Sequence, residues 1–294
     1  MKNYFEVFLL IFLLSALFRG AAYAQDLKPE LLWETDGLNN PESVVFDITT
    51  GSIYVSNVNG EAGDRDGNGY IARLGTDGTI LEKEWVKGLN APKGLAVANG
   101  KLYTADIDTL VEIDIATATI SNRYQVTDAK FLNDVAAAPN GDIYVSDMTM
   151  NRIHLLRDGK FTIWLETPDL LNPNGLLVQG NNLIVGAWGV MTDGFNTKVP
   201  GHLLKISLRD KGIKNIGDGQ AVGNLDGVEA FGDNAYLVTD WMAGNLLHID
   251  KAGKVTNVLV LKPGSADLFY APEQDVALIP MMQDNKLVAY TIKP

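Results

Sequence analysis

Six polar residues recur along the chain, each at the same place in a short repeated pattern. The pattern is clearest at 130–147, where a polar stretch precedes a short strand, a Pro-Asn-Gly turn and a second, β-branched strand. Intervals of 51, 40, 41, 52 and 41 residues separate these positions, which we call the ring residues: Glu42, Lys93, Asn133, Asn174, Asp226 and Asp267. Equivalent places in a repeat lead us to expect that these side chains come together.

Four of the ring residues, Glu42, Asn133, Asn174 and Asp226, together form a set of oxygen donors. Glu42 and Asp226 supply carboxylates, whereas Asn133 and Asn174 supply amide carbonyls. Hard divalent cations prefer such sets, Ca²⁺ first and Mg²⁺ or Mn²⁺ after it. Asn and Asp also cap turns, so one such position alone carries little weight. The four at matching positions predict a metal site.

The repeat also predicts the fold. A period near forty residues, with short strands and Asn-Gly or Asp-Gly turns, is typical of a β-propeller. We predict an all-β, six-bladed β-propeller that forms one domain over 25–294. The last repeat holds only three strands, at 268–271, 275–282 and 286–292, and a lone strand at 27–35 precedes the first repeat. The N-terminal strand should therefore complete the last blade and remove its open edge.

Strand parity predicts where the ring residues lie. In a four-stranded blade, the segment entering the first strand and the loop joining the second strand to the third share one face. The ring residues should therefore surround one mouth of the central channel. Two long loops, 58–69 and 189–201, emerge on that face from blades one and four, which are opposite each other. Elaborated loops around a polar mouth indicate a ligand site.

Composition and the N-terminal sequence indicate the protein's location and its classes of partner. A twelve-residue run that is apolar except for Ser15, Val7–Phe18, is followed by Ala22-Tyr23-Ala24. This pattern predicts a secretory signal peptide at 1–24, with a membrane anchor as the alternative. We expect a periplasmic or secreted protein. A net charge of −12 without basic clusters argues against nucleic acid or anionic membranes as partners, and no cysteine is present for disulfides. We expect a monomer without membrane contact after cleavage.

Short motifs around four ring residues resemble one known family. They are Glu42-Ser43, Asn133-Asp134, Asn174-Gly175 and Asp226-Gly227. In their order they resemble the senescence marker protein-30/gluconolactonase/luciferin-regenerating enzyme family, which includes regucalcin, over nearly all of 25–294. The resemblance implies one catalytic divalent cation held by Glu42, Asn174 and Asp226. It also implies that Asn133 lies beside the cation or faces the substrate, and that Asp226 is the base in lactone hydrolysis. Ca²⁺ is the expected ion, with Mg²⁺, Mn²⁺ or Zn²⁺ as alternatives.

One position departs from this resemblance. Family members that act on sugar lactones usually have an Arg two residues before the Asn of blade three, where this chain has Phe131. Further apolar residues are candidates to line the same mouth: Trp188, Phe195, Trp241, Met281 and Met282. These residues favour a less polar substrate, although each aromatic residue alone is compatible with ordinary blade packing.

Two further polar residues are candidates for binding substrate. Lys93 should lie at the mouth, where it either pairs with a substrate carboxylate or neutralises Glu42 or another carboxylate. His202 ends the long blade-four loop and is an alternative base to Asp226. Most single histidines near turns are structural, so Asp226 is preferred.

The stretch Asp64-Arg65-Asp66-Gly67-Asn68 imitates the start of an EF-hand calcium loop. Its twelfth position is Gly75 instead of the bidentate Glu, and no helices are predicted around it. We expect a hairpin near the mouth, with a second Ca²⁺ site as the alternative.

The expected function is therefore a divalent-metal-dependent hydrolase of a small-molecule lactone or related ester. The cation would polarise the carbonyl and lower the pKa of a bound water, whose proton Asp226 would accept. The alternative is a non-enzymatic propeller that binds a ligand or protein, with a structural metal or none. Propellers serve many functions, so the fold alone cannot separate the two.

Overall fold

The computed structural model describes residues 27–126 and 128–293. Their strands form six four-stranded antiparallel sheets around a channel, together with one two-stranded hairpin. This architecture confirms the predicted all-β, six-bladed propeller. The predicted signal peptide lies outside the described residues. Within the described ranges, no helix is long and apolar enough to cross a membrane.

Blades one to five are meanders in chain order. Blade one contains Pro41–Asp47, Ser52–Asn57, Gly69–Leu74 and Ile80–Leu89. Blade two contains Pro92–Ala98, Lys101–Asp106, Thr109–Asp114 and Thr119–Gln125. Blade three contains Leu132–Ala137, Ile143–Asp147, Arg152–Arg157 and Lys160–Glu166. Blade four contains Pro173–Gln179, Asn182–Ala187, Leu203–Ser207 and Ile213–Asn215, and its hairpin contains Gly189–Asp193 and Asn196–Pro200. Blade five contains Leu225–Phe231, Ala235–Asp240, Asn245–Ile249 and Val255–Val260. Short 3-10 turns occupy Pro168–Leu170 and Met282–Asp284.

Blade six is built from both ends of the chain. Its inner three strands are Phe269–Ala271, Val276–Met281 and Lys286–Thr291, and its outer strand is Glu30–Asp36. The outer strand pairs antiparallel with Lys286–Thr291. Closure by the N-terminal strand is therefore confirmed.

The hydrophobic core is divided among the blade interfaces. Each of the six pairs of neighbouring blades, including six with one, shares a cluster of buried apolar side chains. Between blades three and four, for example, Tyr144 and Ile153 pack with Leu176 and Val185. Each sheet thus buries both faces against its neighbours, which is how a propeller stabilises short strands.

A β-bulge marks the ring position in blades one to five. In these blades the pairing of the first two strands skips the ring residue and the residue after it. In blade three, for example, Leu132 pairs with Asp147 and the next pair is Val135 with Val145. Because bulged residues leave the ladder, their side chains are re-aimed and their backbone groups need other partners.

Hydroxyl groups on the second strands provide those partners. Ser146 Oγ accepts a hydrogen bond from Asp134 N (2.8 Å) and donates one to the Asn174 carbonyl of blade four (2.8 Å). In blade five, Thr239 Oγ1 accepts from Gly227 N and donates to the Ala266 carbonyl, both at 2.9 Å. One buried hydroxyl thus satisfies a bulge and ties it to the next blade.

Removing such a hydroxyl should destabilise the protein. We expect Ser146→Ala to lower the free energy of unfolding by about 1–3 kcal/mol, because a buried N–H and a buried carbonyl lose their partner. Chemical denaturation would measure the change. Ser121→Ala is the control, since its hydroxyl bonds to Glu112 at the surface and its loss should cost less than about 0.5 kcal/mol. Equal stability of the two variants would contradict the bridging role.

Candidate functional site

A cavity of about 370 Å³ lies at the predicted mouth of the channel. Five ring residues line it: Glu42, Lys93, Asn133, Asn174 and Asp226. The other lining residues are Asn40, Gly60, Glu61, Ala62, Phe131, Met148, Trp188, Phe195, Trp241, Met282 and Gln283. The structure therefore brings together the expected metal ligands, the expected base and most of the expected substrate contacts.

Three predicted residues do not line this cavity. The ring residue Asp267 lies lower in the channel, where its Oδ2 accepts a hydrogen bond from Ser43 Oγ at 2.5 Å. His202 is buried, and its Nε2 lies 3.0 Å from Asn215 Oδ1. Met281 belongs to the core between blades five and six. These three side chains are held by particular neighbours, which the repeat pattern does not specify.

Both long loops reach the cavity, as strand parity predicts. The blade-one loop contributes 60–62, and the blade-four loop contributes Phe195. The blade-four loop is itself a hairpin, which the sequence did not indicate. Asn224 Nδ2 fastens it by donating to the Trp188 carbonyl (2.8 Å) and Thr197 Oγ1 (3.0 Å). The hairpin is therefore a fixed wall of the mouth.

Two oxygen atoms at the floor of the cavity lack hydrogen-bond donors. Asn174 donates its Nδ2 to the Leu225 carbonyl at 3.1 Å, an orientation that leaves Oδ1 unpaired. Glu42 Oε2 is also buried and has no partner among the described residues. Buried acceptors without partners are costly and uncommon in native proteins. Such a pair beside Asp226 fits an oxygen-coordinated cation.

The carboxylates of the floor crowd one another. Burial raises the pKa of Glu42 well above its ordinary value, and the charges of Asp226 and Asp267 raise it further. Burial also raises the pKa of Asp226, with Asp267 as the next cause. A positive charge between Glu42 and Asp226 would oppose both shifts, because opposite charge favours the ionised form.

The donor set determines which cations fit. In the described chain, no three His, Cys, Asp or Glu side chains are placed together to hold a metal ion. The candidate site combines two carboxylates with the amide oxygen of Asn174. That composition suits Ca²⁺ or another hard cation better than Zn²⁺, which favours histidine and thiolate ligands.

Lys93 is held by backbone carbonyls. Its Nζ donates to the carbonyl oxygens of Ala62 (3.0 Å) and Ala91 (2.9 Å) and lies 4.7 Å from the centre of the Phe131 ring. Burial lowers the Lys93 pKa to about 8, although the Glu42 carboxylate opposes this. In this structure Lys93 fastens the blade-one loop to the mouth.

Four aromatic side chains, which we call the aromatic wall, form one side of the cavity: Phe131, Trp188, Phe195 and Trp241. Ring centroids are 5.3 Å apart for Phe131 and Phe195, 6.2 Å for Trp188 and Phe195, and 6.1 Å for Trp188 and Trp241. The indole Nε1 of Trp188 donates to the Phe195 carbonyl at 2.8 Å. The wall is thus a connected apolar surface.

Side chains of the EF-hand-like stretch form an ion pair and hydrogen bonds with other residues of the protein. Arg65 forms an ion pair with Asp108 of blade two at 2.9 Å. Asp66 accepts hydrogen bonds from the backbone N and the side-chain Nδ2 of Asn68. The ion pair secures the blade-one loop to blade two, and the Asp66 contacts stabilise the loop itself.

Sequence reasoning missed Asn40, Met148 and Gln283 as cavity residues. Asn40 directly precedes the first strand of blade one, and Met148 and Gln283 follow second strands. All three positions belong to the face that strand parity assigns to the mouth. The parity rule, applied to every blade instead of only to the long loops, could have found them.

Comparisons with known proteins support the fold. No family model and no curated protein matches the sequence. A gluconolactonase from Xanthomonas campestris is similar in structure, with a TM-score of 0.69 and 14% identity over 91% of this chain and 90% of that one. A streptogramin B lyase gives a TM-score of 0.62 at 11% identity, over 91% of this chain and 98% of that one. A catalytically inactive histidine-to-alanine variant of virginiamycin B lyase from Staphylococcus aureus, with quinupristin, gives 0.58 at 14% identity, over 90% and 99%. At these identities the likeness establishes a gluconolactonase-like propeller fold.

A second cavity of about 190 Å³ lies further along the channel and holds three carboxylic acids, Asp134, Glu229 and Asp267. Asp134 accepts hydrogen bonds from Val135 N and Leu176 N, both at 2.6 Å, and so links blade three to blade four. Burial raises the pKa of Glu229 to about 8, and the charge of Asp267 contributes. Glu229 therefore keeps its proton at pH values where an ordinary Glu has lost it.

This raised pKa predicts a pH-dependent effect of Glu229→Gln. The stability that protonated Glu229 contributes is full below about pH 4.5 and is lost as the pH rises to about 8. The Gln variant avoids that loss, so its melting temperature should exceed the wild-type value by roughly 5–10 °C at pH 8 and by little at pH 4.5. Thermal melts across this range would measure it. The exposed Glu273→Gln should show no such trend, and a Glu229→Gln difference that stays constant with pH would contradict the burial argument.

Proposed function

We propose that this protein is a divalent-metal-dependent hydrolase of a lactone or related ester. The observation that carries the proposal is the pair of buried, unpaired oxygens, Glu42 Oε2 and Asn174 Oδ1, beside Asp226 at the floor of a ligand-sized cavity. The resemblance of the ring motifs to gluconolactonases supports it. The presence of a gluconolactonase among the similar structures is consistent with it.

Glu42, Asn174 and Asp226 would hold the cation, with Ca²⁺ preferred because all three ligands are oxygen donors. When bound, the ion would polarise the scissile carbonyl, lower the pKa of a nearby water and stabilise the oxyanion. Asp226 must be ionised to act, and cation binding in the floor would ionise it despite its burial.

Side chains of the protein would transfer the proton, orient the substrate and exclude water. Asp226 would accept the proton of the attacking water and return it to the leaving oxygen as the tetrahedral intermediate collapses. The C–O bond then breaks to give an alcohol and a carboxylic acid, which ionises in water. Asn133 is fixed next to the floor, because its Nδ2 contacts Met148 Sδ at 3.6 Å. Its amide would orient the substrate. The aromatic wall would shield the reacting carbonyl from bulk water.

A lyase function is less well supported. In virginiamycin B lyase a histidine-to-alanine variant is inactive, whereas no histidine is among the residues that line this cavity in the described chain. The non-enzymatic alternative, with a structural metal or none, predicts ligand binding without turnover. The ligand-binding alternative is an outcome of the following experiment.

Asp226→Asn should weaken metal binding and slow hydrolysis. Calorimetry with Ca²⁺ should show affinity falling on the order of 100-fold or more, because one of two charged ligands is lost. Lactone and aryl-ester turnover should fall on the order of 10²–10⁴-fold, since the base is lost as well. Both measurements use the protein from residue 25 onward.

Asp66→Asn is the matched control, because it makes the same chemical change in the EF-hand-like stretch. It should retain metal affinity and activity. Loss of metal binding in Asp66→Asn but not in Asp226→Asn would place the cation in the loop and refute the proposal. Metal binding at the mouth without turnover of any lactone or ester would support the ligand-binding propeller instead.

A further inference from the structure

Several polar donors around the cavity already have partners within the protein. Asn174 Nδ2 binds the Leu225 carbonyl, Asn133 Nδ2 contacts Met148 Sδ, and Trp188 Nε1 binds the Phe195 carbonyl. Lys93 is likewise occupied by two backbone carbonyls. These contacts leave fewer N–H groups for a polyhydroxylated ligand, whose hydroxyl groups lose water on binding.

The aromatic wall offers the opposite kind of surface. Its rings meet at tilted and edge-to-face angles, from 53° between Trp188 and Trp241 to 72° between Trp188 and Phe195. An aromatic group inserted beside such rings gains attraction beyond its buried area. A cationic ligand suits the wall less well, because the ammonium group of Lys93 already lies over the Phe131 ring.

Phe195 is the exposed end of this wall. Its side chain is 43% exposed, whereas Trp188 is 4% exposed. It lies at the turn between the two strands of the fastened hairpin, and its carbonyl is held by Trp188. The ring is thus positioned at the rim while one part of its surface remains free to contact a ligand.

We propose that the substrate carries an aromatic substituent next to its lactone or ester group, and that Phe195 is a specificity-determining residue that binds this substituent. The inference rests on the proposed function, because the floor fixes where the reacting carbonyl lies. An aryl-substituted lactone would place its carbonyl at Glu42, Asn174 and Asp226 and its ring against the wall. Sugar lactones would be poor substrates.

Two lactams provide the test, 5-phenyl-2-pyrrolidinone and gluconolactam. Because amides resist hydrolysis far more than esters, their binding can be measured without turnover. Calorimetry in the presence of Ca²⁺ should show the phenyl lactam binding at least tenfold more tightly. Phe195→Ala should weaken the phenyl lactam on the order of tenfold and leave gluconolactam unchanged. Val199→Ala is the control, because Val199 is 58% exposed on the same hairpin and does not line the cavity; it should change neither affinity.

Three results would overturn the inference: gluconolactam binding as tightly as the phenyl lactam, no binding of either, or equal effects of Phe195→Ala on both. Parallel assays of the corresponding lactones separate this inference from the proposed function. Efficient turnover of gluconolactone over aryl lactones would leave the hydrolase intact and refute the aromatic subsite. Selective binding of the phenyl lactam without turnover of any lactone would instead refute the hydrolase.

Discussion

Pairing between the two ends of the chain is the interaction on which the rest of the structure depends. Glu30–Asp36 pairs with Lys286–Thr291 and closes the ring, so that blade six can pack against blade one. The ion pair of Lys286 with Glu34 lies at the surface and adds little. Backbone pairing and the apolar interfaces hold the ring. Without closure, the mouth would not be a cavity, and blades one and five could not place Glu42 and Asp226 on one floor.

The closed ring positions its chemical groups through irregularities in the strands. The bulges at the ring positions take these residues out of the strand ladder. Buried hydroxyls such as those of Ser146 and Thr239 then accept hydrogen bonds from the bulged backbone N–H groups. The same hydroxyls bond to the neighbouring blade, so a ring residue in one blade is located by the blade beside it. Asn174 shows this dependence most directly, because Ser146 binds its carbonyl and Leu225 accepts from its amide.

The repeat period allowed the fold, the closure and most of the mouth to be predicted, because blade geometry is imposed by the period and by strand parity. The orientation of single side chains was less predictable. Asp267 occupies a ring position yet turns into the channel, since Ser43 from the far end of the chain donates to it. His202 is held by Asn215. Lys93 binds backbone carbonyls whose positions the sequence pattern does not reveal. These contacts depend on tertiary neighbours, which no local spacing encodes.

The carboxylic acids of the two cavities are Glu42 and Asp226 at the mouth and Asp134, Glu229 and Asp267 further along the channel. Comparing one from each, Glu42 and Asp134, helps to distinguish a functional carboxylate from a structural one. Asp134 lies deep in the channel with its oxygens bonded to backbone N–H groups of two blades, as a structural carboxylate should be. Glu42 is as buried but keeps an oxygen without a donor, and its nearest charged neighbours include other carboxylates. A fold that can satisfy Asp134 does not need to leave Glu42 unsatisfied. Sites of stored electrostatic strain of this kind belong to function more often than to stability, and a bound cation is the simplest group that relieves it.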